Sequence, residues 1–148
     1  MVALLVTLIA IHLRLWERRT ELDRPAFWFV RVPFSIYLGW ITVATIANIA
    51  QTLQSLGVDG FGVRPELIAC LVLLTGLAIA VTFVWRFHDA AYGLVIVWAY
   101  TGIVVKEAGS AYVPVVAAFG ALAVGVLVLL SLAGRLPPVR GPIRLRAS

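Results

Sequence analysis

A run of 24 residues without a charge, Pro33–Leu56, constrains this chain more than any other feature. At 1.5 Å per residue it makes a helix of ~36 Å, enough to cross a ~30 Å hydrocarbon core. The run is not uniformly apolar. At 100° per residue, Tyr37, Trp40, Ala44, Thr45, Asn48, Gln51, Thr52 and Ser55 fall on one side, and Ile36, Ile46, Ala50 and Leu53 lie largely elsewhere. A helix in lipid hides such a stripe against other helices or a cavity. It is the most polar face in the apolar part of the chain, so a site is expected to include it.

Further apolar runs recur along the chain. Met1–Leu13 is apolar from its first residue and lacks the basic leader region and cleavage site of a signal peptide. Counted through Trp16 it gives only ~24 Å of helix, so it is a short span, or one that begins inside a formerly longer helix. His12 near its end reads as an interfacial histidine, with a ligand or proton-carrying role as the alternative. Glu66–Phe87, Asp89–Val105 and Val113–Gly134 complete the series. Thr75 and Gly76 are expected close-packing points in the third span, and Gly120 and Gly125 are the only notches in an otherwise featureless fifth. In the fourth, Asp89, Gly93, Tyr100 and Glu107 share one face, with Trp98, Thr101 and Gly102 opposite. With 62% hydrophobic and 13% charged residues, the fold expected is all-α: a polytopic transmembrane bundle of about five helices, the first one short.

The connections carry the polarity. Arg14–Val32 is a charged loop that returns to the interface at Pro25, Phe27, Trp28 and Phe29. Gly57–Pro65 is a turn by its glycines and proline. Residues 1–134 read as one membrane domain, and Arg135–Ser148 as a disordered, Pro- and Arg-rich cytoplasmic tail. With alternating helices, ten of the 12 Lys and Arg fall on the side of the first loop, Arg86 and the tail, against Arg64 and Lys106 on the other. That places the first loop and the C-terminus in the cytoplasm of a multi-pass cell-membrane protein. The net charge of +5 therefore speaks for topology and lipid headgroups, not for nucleic acid.

Catalytic signatures are missing from the sequence: no nucleophile elbow, P-loop, dinucleotide fingerprint or metal-binding helix motif occurs. No catalytic residue, no metal ligand and no enzymatic activity is expected, and the single cysteine, Cys70, reads as an inert buried thiol. Asp89 at the start of a helix is a good N-cap, or else half of a titrating His88–Asp89 pair at a cavity mouth. Trp40 and Trp98 sit well inside their spans, where an indole N–H needs a partner or a polar ligand. Aromatic walls with a few hydroxyls suit a flat, mostly apolar molecule; alternatively Trp40, Thr45 and Asn48 only bond between helices.

The pattern Tyr37-x-x-Trp40-Ile41-Thr42-Val43-Ala44-Thr45-x-x-Asn48 resembles the last helix of the tryptophan-rich sensory protein and translocator protein (peripheral benzodiazepine receptor-like) family. That helix typically reads Pro-Tyr-x-x-Trp-x-x-Phe-Ala-x-x-Leu-Asn. Trp40, Ala44 and Asn48 keep its spacing and Tyr37 its place, while Ile36, Val43 and Ala47 stand at its Pro, Phe and Leu. A second pattern, Asp89, Tyr92, Val95, Trp98 and Ala99, is similar to the C-terminal extension of longer bacterial members. The resemblance implies the second half of such an extended member, with Met1 not necessarily the original start.

By that resemblance, Trp40, Ala44 and Asn48, joined by Tyr37 and Trp98, would line a pocket for a tetrapyrrole or other flat hydrophobic ligand in a sensory or transport-related role. Beyond such a ligand no cofactor is implied. The competing expectation is a structural or interaction protein whose helices pack with a second copy or with partner helices in the bilayer. A carrier is a third, weakened by the lack of a central charge and of a broken helix pair.

Overall fold

The computed structural model describes residues 2–17, 27–55 and 64–136. The expected tail from residue 137 on, most of the first charged loop (18–26) and most of the second connection (56–63) lie outside the described residues. Within them are five α-helices: α1 (Val2–Glu17), α2 (Val32–Ser55), α3 (Pro65–Phe87), α4 (Ala90–Lys106) and α5 (Val113–Leu132). One π-helical turn, Phe27–Arg31, leads directly into α2. Three segments, Phe29–Ile49, Glu66–Phe87 and Val113–Leu132, are long and apolar enough to cross a membrane. At 16 and 17 residues, α1 and α4 are shorter, each ~25 Å of helix.

Local chemistry sets the helix ends. Pro65 occupies the first turn of α3, where its missing N–H costs nothing, and Glu66 follows at the positive end of the helix dipole. Asp89 caps α4 by accepting a hydrogen bond from the Tyr92 backbone N–H at 3.1 Å. This is the capping role read from the sequence. Pro114 sits in the first turn of α5. Gly134 closes that helix at φ +64, and its N–H donates to the Ser131 carbonyl at 3.1 Å.

The helices pack as a chain of neighbours. α4 lies most extensively on α5, α5 on α3, α2 on α4, and α1 on α2. Lipid removes the hydrophobic drive between helices, so close approach of backbones has to supply the contact energy. Tyr100 of α4 shows how. Its ring lies over Gly120 of α5, where an added Cβ would meet ring atoms at 2.4 and 2.6 Å. Its hydroxyl donates to the Leu73 carbonyl of α3 at 2.6 Å, beside Gly76. One side chain thus joins three helices. Gly93 serves α4 and α5 in the same way, because a Cβ there would meet Val128 at 2.4 Å.

The expected faces of α4 are observed: Gly93 and Tyr100 are buried, while Trp98, Thr101 and Gly102 are exposed. On α5, Val113, Ala117, Gly120, Val124 and Val128 form the buried stripe. Val115, Phe119, Leu122 and Leu129 point outward as an apolar surface suited to lipid. The polar stripe of α2 behaves differently from expectation. Of its members Thr45 is buried, whereas Tyr37, Trp40, Asn48, Gln51 and Thr52 are exposed. The face that packs carries Ser35, Leu38, Ile41 and Thr42, whose hydroxyl turns back to the Leu38 carbonyl at 2.8 Å. A hydroxyl that satisfies itself within its own helix can enter a packed face without a partner across it.

Gly120→Val should lower stability by about 1–3 kcal/mol through overpacking against Tyr100. Gly102→Ala, where no atom lies within 4 Å of the added methyl, should leave stability unchanged or slightly raised. Thermal unfolding in detergent measures both.

Candidate functional site

The ends of several helices meet at one edge of the bundle, and a buried carboxylate organises them. Asp89 stands between α3 and α4 with 5% of its surface exposed. One carboxylate oxygen holds the Tyr92 N–H; the other accepts from the Ser35 hydroxyl of α2 at 2.5 Å. His12 of α1 brings Nδ1 to 4.0 Å from that same oxygen, within ion-pair range when the imidazole is protonated. His12 is itself buried, its ring 4.8 Å from that of Phe83 and 5.0 Å from that of Phe87. The sequence reading set His12 at the interface. In the structure Leu8 and His12, four residues apart, form the buried face of α1, so the histidine packs against the bundle. The histidine near Asp89 oxygen is thus His12, not the adjacent His88.

His88 is held in an unusual way. It takes the left-handed conformation, φ 49 and ψ 37, at the C-terminus of α3. Glycine adopts that region without cost, whereas a Cβ makes it unfavourable by roughly 1 kcal/mol. The backbone is fixed on both sides: its N–H donates to the Val84 carbonyl at 2.8 Å, and its carbonyl accepts from the Ser131 hydroxyl at 3.1 Å. Its Nε2 is buried and has no hydrogen-bond partner among the described residues.

Beside this cluster a groove of about 1110 Å³ opens between α2 and α4, with the end of α5 at its margin. Its walls include Ile36, Tyr37 and Trp40 on α2, and Leu94, Val95 and Trp98 on α4. Arg31, Ser35, His88, Asp89 and Ser131 form the polar end. The groove exists because α2 comes close to α4 at Gly39, where a Cβ would stand 3.1 Å from the Val95 Cβ and 3.2 Å from the Tyr92 carbonyl. That crossing brings Trp40, next to Gly39, alongside Trp98, three residues past Val95. Their ring centroids are 5.5 Å apart at 42°.

Of the residues singled out in the sequence, Tyr37, Trp40 and Trp98 therefore line one groove. Ala44 and Asn48 continue the α2 face outside its lining, and the Asn48 side-chain amide donates to the Ala44 carbonyl of its own helix at 2.8 Å. Thr45 Oγ1 is buried without a partner among the described residues. Sequence reasoning singled out His12 without its partner, and missed Ser35 and Arg31. For Ser35 and Asp89 a signal existed, since each is a polar residue near the end of an apolar run, but their 54-residue separation left the pairing invisible. Among the described residues no group of His, Cys, Asp and Glu could hold a metal ion.

Asp89→Ala removes both the cap of α4 and the acceptor for Ser35. It should lower stability by about 2 kcal/mol, and Asp89→Asn by less, because an amide oxygen still accepts. Detergent unfolding curves of the two variants give the comparison.

No curated protein and no solved structure matches the chain. A model of the TSPO-like protein family matches residues 1–132, from the start of α1 to the end of α5. The match therefore runs well past the Tyr37–Asn48 motif that carried the resemblance and takes in all five helices. With its exposed apolar helices, the chain is an integral membrane protein and belongs to the TSPO-like protein family.

Proposed function

We propose that the groove between α2 and α4 binds a flat, mostly hydrophobic molecule such as a tetrapyrrole, in a sensory or transport-related role without catalysis. The observation that carries this reading is the Trp40–Trp98 pair, 5.5 Å apart in the wall of a groove of about 1110 Å³. Rigid indoles offer a large contact area to a planar ring with little loss of side-chain freedom. A volume of that order exceeds what a single ring needs and lies at the upper end of small-molecule sites. Apart from Tyr37 the rest of the wall is aliphatic, so most of the polar groups are gathered at one end and would orient an entering molecule.

The ten-to-two distribution of Lys and Arg supports a cytoplasmic location for the polar end of the groove, where Arg31 before α2, the α3–α4 turn and the C-terminal end of α5 meet. A ligand would then enter from the cytoplasmic side or laterally from that leaflet. A second reading has its own observation. Tyr37, Trp40 and Trp98 are 46%, 47% and 65% exposed, an area on which a helix of a second copy or of another membrane protein could rest.

Titration with protoporphyrin IX in detergent should quench tryptophan fluorescence saturably. Trp40→Leu and Trp98→Leu should each weaken binding several-fold, while Asn48→Leu, outside the lining, should leave the affinity unchanged. Quenching that does not saturate, or that ignores both tryptophans, would leave the groove as a helix-packing surface. For orientation, a Cys70→Ser background with a single cysteine at Ser110 should react with an impermeant maleimide on intact cells, and one at Arg135 should not. The reverse pattern would invert the topology.

A further inference from the structure

The cluster around Asp89 encloses a titratable ring. His12 of α1 lies between Phe83 and Phe87 of α3, with ring centroids 4.8 and 5.0 Å away. Its Nδ1 stands 4.0 Å from Asp89 Oδ2, within ion-pair range but beyond hydrogen-bond length. That oxygen already accepts the Ser35 hydroxyl at 2.5 Å. The other ring nitrogen, Nε2, is buried with no hydrogen-bond partner among the described residues. The site therefore holds the imidazole as a packed ring and gives neither nitrogen a hydrogen bond there.

A proton changes what that ring requires. A neutral imidazole carries one N–H; an imidazolium carries two, and a charge. Nδ1–H could pair with Asp89 only by sharing Oδ2 with Ser35. Nε2–H has no acceptor, and a buried charged donor without one is far more unfavourable than a neutral nitrogen. The surrounding groups do not offset this. Arg31, before α2, is a fixed cation that acts on His12 in the opposite sense to Asp89. Tyr92 of α4, its ring 4.2 Å from that of Phe83, is uncharged at neutral pH. On α1 itself the nearest charges in sequence are Arg14 and Glu17.

The helix that carries the ring is held by little else. α1 packs mainly on α2, and Leu8 and His12 are its buried residues. We propose that His12 is a proton sensor: neutral, it docks the C-terminal half of α1 on the bundle; protonated, it leaves its seat between Phe83 and Phe87 and releases that half. Docking is complete where the imidazole is neutral and is lost as the pH falls and the ring takes a proton. Asp89 belongs both to this seat and to the lining of the groove, so the sensor lies at the groove's polar end. The inference does not require a ligand in the groove.

The test measures the distance between α1 and α5 by double electron–electron resonance in phosphatidylcholine nanodiscs. Spin labels are attached at Leu13→Cys and Leu132→Cys, both exposed positions, in a Cys70→Ser background. At about pH 7.5 one short distance is expected, and towards about pH 5 a second, longer one, because histidine is the side chain that ordinarily titrates in that window. The ratio of long to short should rise by up to about tenfold per pH unit, the slope of a single proton. His12→Leu, and His12→Gln as a second uncharged replacement, should keep the short distance throughout. His88→Gln, which removes the only other histidine, should keep the transition. A single distance at every pH in the labelled protein with His12 intact overturns the sensor. So does a transition that persists in both His12 variants, release of both at about pH 7.5, or a transition abolished by His88→Gln.

Discussion

The structure depends on burying one carboxylate in the two-residue turn between α3 and α4. A charged group at the edge of a low-dielectric bundle has to be met by donors or it unfolds its surroundings. Asp89 is met by the first turn of its own helix, by Ser35 of α2 and by His12 of α1. The two donors come from α4 and α2, and His12 approaches from α1, so satisfying the carboxylate also positions the helices. α1, at 16 residues short for a span, is held where Phe83 and Phe87 enclose His12.

That same cluster determines what the groove can offer. With its oxygens engaged by Ser35 and the Tyr92 N–H, the acid at the polar end is already paired within the bundle. The aromatic wall arises from a separate feature, the approach of backbones at Gly39 and Val95. Without a Cβ at Gly39, α2 lies close enough to α4 for Trp40 and Trp98 to become neighbours. Across the bundle, Tyr100 over Gly120 holds α4 to α5 by the same device. Small residues thus do two jobs: they supply van der Waals contact where lipid provides no hydrophobic drive, and they decide where side chains on adjacent helices meet.

Much of this was legible in the residues. The cap at Asp89, the two faces of α4, the close-packing role of Gly76 and Gly120 and the family of the α2 motif all follow from local pattern. The pocket residues were legible only in part. Tyr37, Trp40 and Trp98 converge, whereas Ala44 and Asn48, on the same helical stripe as Trp40, extend past the groove. A helical wheel reports angle about one axis. It does not report how far along that axis the neighbouring helix remains close. The stripe was also expected to be hidden, yet α2 packs through Ser35, Leu38, Ile41 and Thr42, because a threonine that bonds to its own backbone is, to a neighbour, nearly apolar.

By itself the sequence determined the number and kind of elements: uncharged runs of membrane-spanning length, punctuated by Pro, Gly and charge, can satisfy their backbone in lipid only as helices. Family membership was similarly local, carried by residues spaced along one or two helices. Tertiary structure alone decided which histidine reaches Asp89, which hydroxyl completes it, and which tryptophans share a wall. Those pairings join residues tens of positions apart, and they depend on crossing points set by close approach at single glycines, a property of two surfaces in contact that no single helix contains.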